Sequence, residues 1–281
     1  MPTEAARVRR IVMALDTASS VLPAIEAAAG LALGLHAELA GLFIEDERLL
    51  RFAGLPFARE FGFASARAQP LAPAAVERAL RAQAEQLRRL LAATAERLSL
   101  AWTLEIVRGE VPRSVLAWAG ASDLLVLGRS EYSWPGASRR IDPAQRFPAL
   151  AAHPVAVVFD GSATALHALN IGRTLAGVTG SELLVLIPVT GAETFNDLRQ
   201  RAAQHLIDRP DASYLYLPDS RPGSIIRTAR SRHFGVLLWP GCFGDLTPAQ
   251  LSDLPCPVVA IPWGACGELY AQEATRRSTQ A

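Results

Sequence analysis

The chain has 281 residues, half of them apolar, and its 28 basic residues are offset by 27 acidic ones. That length exceeds one typical compact domain and suits two of roughly 140 residues, each able to bury a core. The charge balance argues against an electrostatic footprint for nucleic acid or an anionic membrane. Every one of the basic residues is arginine, which excludes a Schiff-base lysine, a Walker-type lysine and a lysine general base.

Arg10 to Asp16 is aliphatic on both parities and reads as a strand buried on both faces. Thr17 or Ser19 can cap a helix that continues through Ala28 and ends near Gly30 and Gly34. Ala37 to Ile44 is the next strand, and the acids Glu45, Asp46 and Glu47 read as its solvated exit. Residues 46–74 lose the alternation and carry Pro56, Pro70 and Pro73 with Phe52, Phe57, Phe61 and Phe63. That is too long for a routine connection, so it is expected to be an inserted, partly helical excursion whose phenylalanines pack onto the domain. Val76 to Leu98 is a helix, with Leu80, Leu87, Leu90, Leu91 and Leu98 at helical spacing. Its arginines alternate with Glu77, Glu85 and Glu96, which marks a solvated face rather than a nucleic-acid stripe. Strands at Trp102–Val107 and Asp123–Leu127 follow, with a helix from Pro112 to Ala119 between them.

The pattern restarts at Pro154. Val155 to Asp160 is a strand, followed by Gly161-Ser162 and a helix through Leu175. Strands at Glu182–Ile187, Ser213–Leu217, Val236–Trp239 and Val258–Ile261 alternate with helices at Glu193–Ile207, Ser224–Ser231 and Thr247–Leu254. Such alternation implies a parallel sheet with helices on both faces. Trp-Pro-Gly at 134–136 and 239–241, and Pro-Ala-Gln at 143–145 and 248–250, recur after the fourth strand of each half, which points to internal duplication. Between Gly128 and Asp160 there is one strand only. Assigned to the second half, it leaves the first half four-stranded, with an edge to be covered by residues 131–152 or by a partner.

The chain resembles the universal stress protein family at Val-Phe-Asp160-Gly161-Ser162, at Leu-Leu-Val-Leu-Gly128 and at Leu254-Pro-Cys256-Pro-Val-Val259. The resemblance covers both halves except residues 46–74 and the tail after Trp263. It implies an α/β fold of two Rossmann-like or flavodoxin-like parallel sheets in tandem, 1–152 and 153–281, forming a pseudo-dimer. In the nucleotide-binding members an aspartate ends strand one, a backbone contact follows strand two, and a Gly-x-x-Gly, nine residues, Gly-Ser/Thr loop follows strand four. By that resemblance the candidate nucleotide-binding residues are Asp160, Gly161, Ser162, Ile187, Gly241 and Gly244, with Asp16 in the first half. Glycines let backbone N–H groups approach phosphate, and the next helix start adds a favourable dipole.

This sequence departs from that loop. Gly241-Cys-Phe-Gly244 matches its beginning, but counting back from Pro255-Cys256-Pro257 puts Gly244-Asp245 where the family has Gly-Ser. A carboxylate there repels a triphosphate. In the first half, Gly128-Arg-Ser-Glu131 lacks the second glycine. The expectation is therefore a cytoplasmic, non-enzymatic stress-response or regulatory protein with a degenerate nucleotide site and no required cofactor. The alternative is a functional ATP- or AMP-binding protein using the second half. A protein partner or self-association is left open, and nucleic acid and membrane are not expected.

Other chemistries lack their signals. The five histidines show no metal spacing, and no Gly-x-Ser-x-Gly elbow or Gly-x-Gly-x-x-Gly fingerprint occurs. Cys242, Cys256 and Cys266 form neither a disulfide framework nor a zinc pattern. The first residues lack the basic-then-apolar layout of a signal peptide, and no apolar run reaches membrane-span length.

Overall fold

The computed structural model describes residues 8–15, 21–61, 68–109, 123–128, 146–189, 191–219, 221–241, 250 and 253–261. The first part of the chain contributes β1 (Arg10–Leu15), α1 (Val21–Leu35), β2 (Glu38–Asp46), α2 (Glu47–Ala53), β3 (Arg59–Phe61), β4 (Ala68–Pro70), α3 (Pro73–Leu98), β5 (Trp102–Gly109) and β6 (Asp123–Gly128). After the short α4 (Pro148–Ala151) come β7 (Val155–Val158), α5 (Ala163–Thr179), β8 (Leu183–Pro188), α6 (Ala192–His205), β9 (Ser213–Leu217), α7 (Pro222–Arg232), β10 (Val236–Trp239) and β11 (Val258–Ala260). The expected helix at 112–119, and most of that at 247–254, lie outside the described residues.

Nine strands make one sheet in the order β5-β2-β1-β6-β11-β10-β7-β8-β9, and β3 and β4 make a separate antiparallel hairpin. Counted within its own part, the first set runs third-second-first-fourth and the second runs third-second-first-fourth-fifth. Both sets are internally parallel, and their central strands β1, β7 and β8 are aliphatic and buried on both faces. Two side-by-side sheets were expected, but the strands join, because β11 pairs antiparallel with β6 through Val258↔Leu127, Val259↔Val126 and Ala260↔Leu125. The edge of the four-stranded half at β6 is thus covered by the fifth strand of the second half. An unpaired β6 would leave its backbone N–H and C=O groups open on that side.

The main core lies on one face of this sheet and runs through both halves. It joins Ile11, Met13 and Leu15 of β1 and Leu87 and Leu91 of α3 to Val155 and Val157 of β7 and Leu169 and Leu175 of α5. The opposite face of the second half is closed by Ile225, Ile226 and Ala229 of α7. α1 ends at Leu35, near Gly34 as expected, and both Gly30 and Gly34 lie within the helix. They sit where α1 crosses α5: a Cβ on Gly30 would come within 2.8 Å of Leu175 Cδ1, and one on Gly34 within 2.6 Å of Thr174 Cγ2. Their lack of side chains sets the spacing of the two helices.

The 46–74 excursion is partly helical, as expected. Its α2 packs on the start of α3 through Ala53, Val76 and Leu80 as a small separate cluster. Two of its phenylalanines depart from the expectation, since Phe52 is half-exposed and Phe57 is 71% exposed, while the side chains of Phe61 and Phe63 lie outside the described residues. The turn at 54–58 is built from successive backbone bonds, Leu55 N to Phe52 O and Ala58 N to Leu55 O. The arginines of α3 form the expected solvated face, with Arg81 near Glu77 and Arg88 near Glu85.

Candidate nucleotide site of the second half

Parallel strands β7, β8, β9 and β10 all end at the same edge of the sheet, so residues 159–162, 189, 218–219 and 240–241 gather there. The chain moves outward from β7 to β8 on one side and returns to β10 on the other. Such a reversal opens the crevice in which α/β proteins hold ligands. The predicted residues Asp160, Gly161, Ser162 and Gly241 lie at this edge. Asp16 and Gly244 lie outside the described residues, as do Asp245 and most of the loop after β10.

The turn after β7 is fully specified by local chemistry. Ser162 N donates to Asp160 Oδ1 at 2.8 Å, and Ser162 Oγ accepts from Ala165 N at 3.1 Å, capping α5. Gly161 has φ +84°, a left-handed conformation that favours glycine. Two side chains of α6 sit over this turn. Arg201 Nη2 donates to Gly161 O at 2.8 Å, and a Cβ on Gly161 would lie 2.6 Å from Leu198 Cδ2 and 2.9 Å from Arg201 Nη1. Neither residue is signalled by a motif; they reach Gly161 only because α6 folds back across α5.

Ile187 was expected to supply a backbone contact after the second strand. It stands within β8, opposite Tyr216, with its side chain wholly buried in the core. The next amide beyond the strand, Val189 N, is taken by Leu217 O at 3.0 Å. At β10, Trp239 O accepts from both Gly241 N (3.0 Å) and Ile261 N (3.2 Å), which fixes the start of the loop.

Elsewhere, Glu45 is not the solvated strand exit expected. It is 7% exposed, and its Oε2 accepts from Arg108 Nε at 2.7 Å across the ends of β2 and β5. Burial pushes the Cys256 thiol up to about 12, so it is no thiolate nucleophile at neutral pH. Burial also holds the His167 imidazole below its ordinary value. Among the described residues no group of His, Cys, Asp and Glu could hold a metal ion, and no helix is long and apolar enough to cross a membrane.

No protein-family model matches the chain, and no curated protein sequence does. Solved structures do. The chain is similar to a universal stress protein from Archaeoglobus fulgidus DSM 4304, at 14% identity over 90% of this chain and 96% of that one, with a TM-score of 0.49. It is also similar to a universal stress protein in complex with cAMP, at 19% identity over 37% of this chain and 84% of that one, TM-score 0.29. A third similarity is to the cytoplasmic domain of a prokaryotic cation chloride cotransporter, at 10% identity over 89% of this chain and 95% of that one, TM-score 0.40. The fold is α/β, built on one nine-stranded, mostly parallel sheet. Identities and TM-scores of this size say nothing about ligand or activity.

Proposed function

We propose that the chain is a tandem universal-stress-protein-like binding or interaction protein of the stress response, acting without catalysis and carrying a degenerate nucleotide site in its second half. The observation that supports this most directly is the filling of the Asp160-Gly161-Ser162 turn from within the protein. One oxygen of the Asp160 carboxylate holds the turn, Ser162 is spent on capping α5, and Arg201 and Leu198 lie over Gly161. A ribose or phosphate approaching Gly161 would have to displace Arg201 and Leu198. The sequence adds a second reason, because Asp245 stands where the family's loop has a hydroxyl, and two like charges there repel. Among the described residues no nucleophile is paired with a general base at this edge. Stress response follows from the family resemblance alone and is an analogy.

A second reading is favoured by position: Asp160, Ser162 and Gly241 do share the crevice edge, as an ATP- or AMP-binding member would need. Calorimetric titration of nucleotide-stripped protein with ATP, AMP, adenosine and cAMP separates the two. The degenerate-site reading expects no saturable binding at millimolar ligand, in wild type or in Asp160→Ala. Micromolar ATP or AMP binding that Asp160→Ala abolishes would establish the second reading instead. Nucleotide turnover lost in the same variant would make the protein an enzyme.

A further inference from the structure

α1 is apolar from Val21 to Leu35 except for Glu26. That residue is 1% exposed, and among the described residues Arg97 is the cation that bears on it, without an ion-pair contact. Its Oε2 accepts from Ala149 N at 2.8 Å and Leu150 N at 2.9 Å, the first amides of α4. The other end of the same turn is held by the second half. Ser181 Oγ donates to Leu150 O at 2.9 Å and lies 2.8 Å from Thr179 Oγ1, and Thr179 in turn donates to Leu175 O of α5. The connector between the halves is therefore gripped at its N–H end by one half and at its C=O end by the other. α1 and α5, the two helices at this joint, are also the ones that follow β1 and β7.

The surroundings of Glu26 decide its charge state. α3 contributes Arg97, which attracts from a distance. The strands and α5 contribute apolar core such as Met13, Val126 and Leu175, and Arg146 and His153 flank α4. Loss of water around a carboxylate disfavours its ionised form. Here that loss outweighs the two amide bonds and Arg97, and the carboxyl is pushed up to about 7.

We propose that Glu26 is a proton-operated latch between the two halves: protonated, it stays in the core and holds the α4 turn, and on ionisation it favours release of that turn and loosening of the joint. The sign follows from linkage. The closed state binds the proton more tightly than an open, solvated state, so closure is favoured at low pH and weakens as pH rises from the ordinary carboxyl range to about 7, where the dependence levels off. This does not depend on whether a nucleotide binds.

Hydrogen exchange on the full chain tests it. After correction for intrinsic base-catalysed exchange, protection of the Ala149 and Leu150 amides is expected to fall roughly 50-fold between pH 5 and pH 7.5, while β8 amides change far less. Glu26→Gln is expected to keep the same protection at both pH values. Matching pH profiles in wild type and Glu26→Gln would overturn the proposal. Should that variant not fold, carboxyl ¹³C NMR of the wild type decides: a Glu26 titration midpoint near neutrality supports the latch, and one in the ordinary carboxyl range refutes it.

Discussion

Two helical glycines show how the same residue type answers different demands. Gly34 faces Thr174 and Val178 across the α1–α5 crossing, and its Cβ would stand 2.6 Å and 3.1 Å from their Cγ2 atoms. Both neighbours are β-branched and stiff, so they yield poorly. Gly177, on the exposed side of α5, would put its Cβ no nearer than 3.8 Å, from the tip of Arg209. Gly34→Ala is therefore expected to destabilise by about 1–2 kcal/mol through overpacking, despite the better helix propensity of alanine. Gly177→Ala is expected to stabilise by about 0.5–1 kcal/mol. Urea unfolding of the two variants checks the pair, and equal signs would show that the crossing tolerates a methyl group.

At the scale of elements, α3 is the longest helix and ends on Ser99, with φ 54° and ψ 41°. Its N–H reaches Ala95 O and Glu96 O, so the terminal carbonyls are satisfied, but a serine holds the left-handed position at a steric cost. Ser99→Gly is expected to raise stability by about 1 kcal/mol, read as an increase in the urea midpoint with an unchanged slope. A fall in the midpoint would mean that the Ser99 side chain holds something the backbone geometry does not reveal. The contrast with α5 is instructive: that helix has a serine at its N-cap and Gly180 at its left-handed end, so both termini already carry the residue the geometry favours.

For the whole molecule, the pairing of β11 with β6 makes each half incomplete without the other. A fragment ending at residue 152 keeps β6 but loses β11, exposing an edge beside Leu125 and Leu127. It is expected to self-associate on size exclusion, and co-expression with a fragment starting at residue 153 to give a stoichiometric complex. A monomeric, cooperatively folding 1–152 fragment would show that β11 is not needed there. The shared core points the same way, because it runs without a break from β1 and α3 to β7 and α5.

Much of the architecture was legible in the order of residues. Doubly buried strands read as unbroken aliphatic runs, and helices as leucines every third or fourth position, because those periods are imposed by backbone geometry alone. Asp160-Gly161-Ser162 was visible as a turn for the same local reason. Contacts between distant segments were not legible. Nothing near Gly161 announces Arg201, nothing near Glu45 announces Arg108, and the role of Gly30 and Gly34 depends on a helix some 140 residues away. Glu26 left a trace, a lone acid in an apolar helix, but its amide partners lie 123 and 124 residues on. Sequence by itself determined the elements, their parallel α/β alternation and the duplicated plan, since each follows from short-range sterics and hydrophobic period. Only the tertiary structure decided that two sheets become one, that the second half closes the first, and that a buried carboxylate joins them, because burial and pairing are properties of the assembled chain.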